Sequence, residues 1–293
     1  RLKFSPALIS ISCKLPWTLG SPQAMGNTAT QADKENSGAA ANTVPLTGSA
    51  DRAVVESTRE EKAATASGGA AKYTGQWKGT ERDGKGTQTW SDGATYEGEW
   101  HKDKAEGKGK FTHPNGDIYE GAWKNDKAHG EGTFTKTDGS QYTGQWRKDL
   151  QNGKGTEVWA DGTKYVGAYV DGVRSGMGKM ELPDGSVYEG LFSDGQFEGL
   201  GDYTWPDGRK YSGHWMQNRL DGEGTFSWGD GRSYAGQYSM DLKSGEGTFR
   251  WPDGRIWQGQ WKEGKKHGHG TYATAQGEQQ SGKWENGKRL TWL

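Results

Sequence analysis

The chain has 293 residues, of which only 30% are hydrophobic, and a formal net charge of -1. So little apolar mass excludes a thick aliphatic core, and the balanced charge argues against a strongly basic nucleic-acid binder, so no nucleic-acid partner is expected. Cys13 is the only cysteine, which makes a reducing, cytoplasmic compartment the simpler setting, and no apolar run approaches the ~18 residues that a spanning helix needs.

In chain order, residues 1–25 are expected to be upstream or leader sequence, because Met25 is the first methionine of a chain that starts at Arg1. A signal peptide is disfavoured: "FSPALISIS" is short, is broken by Pro6, and follows no initiating methionine. The segment "MGNTAT" fits the N-myristoylation pattern with Gly26 as the acceptor. One myristoyl chain holds a membrane only marginally, and neither a cysteine nor a basic cluster follows Gly26, so tethering would need a second contact. Residues 26–72 are rich in Ala, Thr, Ser, Gly, Glu and Lys, which predicts a disordered tail with a transient helix around 51–66.

From Tyr73 the chain repeats every 23 residues. In the unit that starts at Tyr96, Gly98 and Trp100 complete a Tyr-x-Gly-x-Trp motif, Gly107 and Gly109 form a Gly-x-Gly pair, and Gly116 closes the unit. The pattern holds for nine full repeats and a partial tenth over 73–293, with Tyr169, Phe192 and Tyr238 in the Trp position and Trp257 and Gln280 in the Tyr position. Residues two apart share one face of a strand, so each unit predicts a β-hairpin with one face of rings and glycines, the rings lying over bare glycine backbone. Segments such as "PDG" and "SDG" predict turns between hairpins, and the six residues between Trp and Gly-x-Gly are expected to form the opposite loops. The implied fold is all-β: an elongated, twisted, single-layer antiparallel ribbon of about twenty strands.

These motifs resemble the MORN (membrane occupation and recognition nexus) repeats, whose unit is a 23-residue hairpin of this kind, over about three quarters of the chain. The resemblance implies a scaffold that can dimerise and links membranes to cytoskeleton, as in junctophilins and the radial spoke heads of cilia, and phospholipid binding has been proposed for such arrays. MORN arrays also precede kinase or SET modules. This chain shows neither, so a non-enzymatic adaptor in a cytoskeletal or ciliary complex is expected, with other proteins, a second copy of itself or anionic membrane lipids as partners. The alternative is a phospholipid-binding regulatory module associated with a phosphatidylinositol phosphate kinase.

Catalytic and cofactor readings dissolve into the repeat. The Gly-x-Gly pairs lack the third glycine of a dinucleotide fingerprint, and "GKG" lacks the phosphate-loop spacing. His267 and His269 have no third ligand nearby, and one aspartate per turn is too few for calcium. No catalytic residue, cofactor or metal is therefore expected. Two departures from uniformity stand out instead. On the face away from the rings, Val166, Ala168, Met177, Val187, Leu191 and Leu200 replace the usual polar residues, which suggests a protein contact. In the loops, Lys102, Lys104, Lys124, Lys127, Arg147, Lys148, Lys262, Lys265 and Lys266 would meet anionic lipid headgroups, although acidic residues are interleaved with them. Intact-mass and peptide mapping of the native protein is expected to find a chain beginning at acylated Gly26; an unmodified start would leave the basic residues as the sole membrane argument.

Overall fold

The computed structural model describes residues 56–60 and 71–293. They form one antiparallel sheet, with no helix among the described residues. β1 (Glu56–Glu60) pairs with β2 (Lys72–Lys78), β2 with β3 (Glu81–Thr89) and β3 with β4 (Thr95–His101). Every later strand likewise pairs with its neighbour in sequence, as far as β21 (Lys288–Trp292). This is the predicted all-β ribbon. β1 is a difference, because it is a strand within the stretch where a disordered tail and a transient helix were expected. The edge of β2 presents unpaired N–H and C=O groups, which an extended segment satisfies and a helix does not. Residues 1–55, Gly26 included, and 61–70 lie outside the described residues, and the end of the expected tail, Lys72, is already part of β2.

The unit over residues 96–118 shows how the sequence builds the hairpin. β4 turns into β5 (Lys104–Thr112) through Lys102 and Asp103 alone, with φ of 49° and 65°. Two consecutive positive φ values define the two-residue turn whose twist matches that of the flanking strands. The predicted six-residue loop is therefore corrected to a two-residue turn: His101, Lys104, Ala105 and Glu106 are strand residues. The connection to the next hairpin is the five-residue segment 113–117, in which the Gly116 amide donates to the His113 carbonyl at 2.9 Å and Gly116 has a φ of 92°. The aspartates of these loops do the predicted turn chemistry: Asp138 Oδ1 accepts from the Ser140 amide at 2.8 Å, and Asp161 and Asp184 do the same for Thr163 and Ser186.

The two glycines of Gly-x-Gly serve different ends. Gly98 faces Gly109 while Trp100 faces Ala105, so Glu99 alone stands opposite Glu106, Gly107 and Lys108 and the ladder bulges. Gly107 takes up the bulge with a φ of 75°, a conformation that L side chains resist. Gly109 instead lies beneath the Tyr96 ring: a Cβ there would strike the phenol, and a Cβ on Gly98 would stand 2.6 Å from Gly109 Cα.

With no second layer, the rings bury one another. Tyr96 is 0% exposed. It meets Trp100 of its own unit edge-on at 5.0 Å and Trp123 of the next at 5.1 Å, a geometry worth roughly 0.5–1.5 kcal/mol per pair beyond the buried area. The Tyr96 hydroxyl donates to the Glu99 carbonyl at 3.0 Å, and Trp123 Nε1 donates to the Gly109 carbonyl of the preceding unit at 3.0 Å. Each unit is thus tied to its neighbour by rings, indole bonds and the sheet ladder. Gly109→Ala is expected to lower stability in urea unfolding by roughly 1–3 kcal/mol through overpacking, and Gly107→Ala by roughly 1–2 kcal/mol through its left-handed backbone. Lys108→Ala, between them on the outer face, should stay within about 0.5 kcal/mol; a neutral Gly109→Ala would remove the ring-over-glycine account.

Candidate functional site

On the face away from the rings, side chains from successive strands line up in rows along the ribbon. In one row Lys85 faces Glu99, Lys108 faces Ala122 and Glu131 faces Gln145. Further along, Ala168 faces Lys154, Met177 faces Leu191, and Leu200 faces His214. Ala168, Met177, Leu191 and Leu200 therefore make an apolar window across four adjacent strands, with Met177 61% and Leu200 56% exposed. Val166, two residues before Ala168, adjoins the window from the next row, where it faces Lys179. Val187 is separated from Leu191 by Glu189 and stands apart, at the start of its strand.

The same row explains why other units carry glutamine. Gln76 Oε1 accepts from the Lys85 amide at 2.8 Å, and Gln145, Gln237 and Gln260 make the equivalent bond to the amides of Lys154, Glu246 and His269. Each bond spans the bulge next to its positive-φ glycine. Ala168 and Leu191 occupy this position without an oxygen, so the window lacks a stabilising bond that glutamine units have. Over the first four units the same face forms a groove of ≈ 1260 Å³, with glycine backbone as its floor and Thr74, Glu97, Lys110 and Glu131 among its walls.

The basic residues, Lys266 apart, sit in or directly beside the two-residue turns rather than in long loops. Lys102 and Lys148 occupy the two-residue turns; Lys124, Arg147 and Lys262 end strands, and Lys104, Lys127 and Lys265 begin them. Arg147 pairs with Asp171 at 2.7 Å, Lys127 with Asp149 at 3.7 Å, and Lys104 Nζ donates to Asn125 Oδ1 at 3.3 Å. Lys266 is a further correction. It belongs to β19 (Lys265–Ala273) and turns to the ring face, its Nζ 4.8 Å from the Trp251 ring and 5.2 Å from Trp257. The acids at the turns stitch each turn to the preceding unit, since Asp126 Oδ1 accepts from the Ala105 amide at 2.8 Å and Asp149 Oδ1 from the Ala128 amide at 2.8 Å.

Sequence reading missed a column on the ring face that stands opposite the Trp position. It is alanine in Ala105 and Ala128, but Arg82, Gln151, Arg174, Lys243 and Lys266 in other units. Arg82 lies 4.1 Å from the Trp100 ring and pairs with Asp103, and Arg174 donates to the Gly195 carbonyl at 3.1 Å. Where the column is Gln151, the ring above it is exchanged too: buried Glu157 accepts from the Tyr169 hydroxyl at 2.7 Å, and burial raises the carboxyl's pKa. The signal for these residues is their departure from the unit consensus on the side otherwise reserved for rings.

Lys243 has the most enclosed cation of the column. Its Nζ lies 5.0 Å from Trp228, 5.1 Å from Tyr234, 5.0 Å from Phe249 and 4.9 Å from Trp261. Burial lowers its pKa to about 8, and repulsion from Arg232 and Lys266 acts in the same direction. Burial moves the tyrosines the other way, with Tyr73 and Tyr165 pushed up to about 12. Among the described residues, no group of three or more His, Cys, Asp or Glu side chains is placed to hold a metal ion, and no helix is long and apolar enough to cross a membrane.

A single-layer sheet of 23-residue hairpins, most of them closed over their glycines by a tyrosine and packed on the next through a second ring, defines a linear β-repeat protein. The MORN repeat model matches nine consecutive copies, from residues 73–95 to 257–279, and the chain belongs to the MORN repeat family. No curated protein matches the chain. Among solved structures it is similar to the TCP domain of Drosophila melanogaster SAS-4 (dCPAP), solved with a proline-rich motif of Ana2 (dSTIL). That match has 15% identity and a TM-score of 0.34, and covers 55% of this chain and 88% of that one. It is also similar to the TCP10 domain of Danio rerio CPAP, at 13% identity and a TM-score of 0.27, covering 72% of this chain and 95% of that one. Scores this low carry no argument about function.

The titrations have opposite signs. The folded chain binds fewer protons at Lys243 than the unfolded chain between about pH 8 and its ordinary 10.5, so stability rises with pH across that window and the cost is fully present below it. The buried tyrosines hold their protons above the ordinary 10.0, so stability falls as pH rises beyond 10. Thermal unfolding against pH is expected to show a rise from about 8 and a decline above 10, and Lys243→Met should reduce the rise, part of which belongs to half-buried Lys266, while leaving the decline.

Proposed function

We propose that this ribbon is a non-catalytic scaffold for protein–protein assembly in a cytoskeletal or ciliary complex, and that the window of Ala168, Met177, Leu191 and Leu200 is a docking surface. The observation that carries the reading is the window itself, with Met177, Leu191 and Leu200 exposed and Ala168 partly so on four adjacent strands, in a row that is polar on both sides. Contiguous exposed apolar surface on a repeat protein marks an interaction site. Fold stability gives no reason for Ala168 and Leu191, because glutamine there would add a hydrogen bond, as Gln145 and Gln237 do. Membrane tethering through Gly26 is compatible with this role and is tested by mass mapping of the native N-terminus.

The alternative, a phospholipid-binding module associated with a phosphatidylinositol phosphate kinase, draws less support. Its basic residues are partly neutralised by Asp149 and Asp171, and Lys266 points to the ring face. Leu191→Asp combined with Leu200→Asp is expected to preserve the thermal midpoint, since both side chains face outward, and to release the protein from the detergent-insoluble cytoskeletal fraction of cells. Two leucines at roughly 1.5–3 kcal/mol each predict at least a tenfold loss of retention. Retention unchanged in the double variant would refute the docking surface, whereas salt-sensitive flotation with phosphatidylserine vesicles would favour the lipid reading.

A further inference from the structure

The enclosure of Lys243 is a built environment for one kind of cation. Its Nζ has four ring faces around it at nearly equal distances, 4.9 to 5.1 Å. Tyr234 is fully buried, and Phe249 and Trp261 nearly so. Trp228 is partly buried and has Arg232 at 5.5 Å from its ring as well. Among the described residues, Lys243 Nζ has these rings around it and makes no hydrogen bond or ion pair. The other cations of the column differ: Arg82 has Asp103, Arg174 has a carbonyl, and Lys266 has only two rings.

An ordinary ammonium suits this enclosure poorly. It carries three N–H donors, and ring faces satisfy charge better than they satisfy hydrogen bonds. Acylation would remove the charge that the rings attract and would place an amide with a donor and an acceptor in the same ring-lined space. Methylation keeps the charge and removes the donors. The spacing agrees: an N–C bond of about 1.5 Å and a methyl-to-ring contact of about 3.5 Å put a methylated nitrogen about 5 Å from each ring.

We propose that Lys243 is a site of N-methylation, its methylated ammonium held in cis by the cage of Trp228, Tyr234, Phe249 and Trp261. The methyl source is a sulfonium donor, delivered by a separate transferase. The lone pair of the neutral amine attacks the methyl carbon, the C–S bond breaks with its electron pair onto sulfur, and the donor leaves as a neutral thioether. The new methylammonium gives a proton to solvent before any further round. The lowered pKa of Lys243 supplies the neutral amine, and the residue, of intermediate exposure, is not sealed from solvent. This inference stands apart from the scaffold reading, since the cage lies on the ring face and the docking window on the other.

Two measurements test it. In protein isolated from the cells that make it, peptide mass spectrometry at exact mass is expected to find methyl groups on Lys243 and none on the exposed strand residues Lys108 and Lys110. An unmodified or acetylated Lys243 would overturn the proposal. In the full chain carrying Cys13→Ser and Lys243→Cys, alkylation with 2-bromoethylamine or with (2-bromoethyl)trimethylammonium installs the plain and trimethylated side-chain analogues. The trimethylated form is expected to melt several degrees higher than the plain form and to show a smaller rise in stability between about pH 8 and 10. An equal or lower midpoint would show that the cage does not favour the methylated cation.

Discussion

Everything in this ribbon depends on a phenol lying against backbone. The Tyr96 ring rests on Gly98 and Gly109, two glycines that face each other across adjacent strands, and any Cβ there would lift it off. Once seated, the ring presents its flanks to Trp100 and Trp123, and the Trp123 indole bonds back to the Gly109 carbonyl. A one-layer sheet has nothing to pack on, so its apolar face must be covered by its own side chains. Wide flat rings over bare backbone provide that cover without a second sheet or a helix. The requirement recurs in each unit, which is why the spacing tolerates no insertion.

Much of this was legible in the residues. The 23-residue interval, the shared parity of Tyr96, Gly98 and Trp100, and the turn chemistry of the Asp-Gly pairs led directly to an antiparallel ribbon. The bulge was not legible. It depends on Glu99 standing opposite Glu106, Gly107 and Lys108, a register that no spacing rule states, and it converts an expected six-residue loop into strand plus a two-residue turn. The same blind spot placed Lys266 among the loop cations, because the expected six-residue loop hid that Lys266 is a strand residue opposite Trp261. The apolar window could be assembled from parity alone, but its continuity required the pairing of Met177 with Leu191, which also set Val187 aside.

The two faces divide the labour. The ring face holds units together and tolerates departures only where a compensating partner exists, as with Glu157 and Tyr169 or Arg82 and Asp103. The outer face is chemically free, and there the units differ from one another in charge and apolarity. A scaffold built this way can change what it binds by altering outward side chains while its folding rules stay constant. Lys243 is the informative exception, a cation on the ring face whose neighbours are rings rather than a carboxylate or carbonyl.

The bonds between units run back only a short way along the chain: from Trp123 Nε1 to the Gly109 carbonyl, and from the Ala105 amide to Asp126. No strand pairing joins distant units, so tension applied between the ends of the ribbon acts along its hydrogen bonds and opens one hairpin before the next. Each hairpin that yields releases a slack of about 75 Å, from 23 residues at roughly 3.3 Å apiece, and can close again against neighbours that are still folded. Placed between two anchored structures, such a chain would behave as an extensible strap that lengthens in equal steps and recoils.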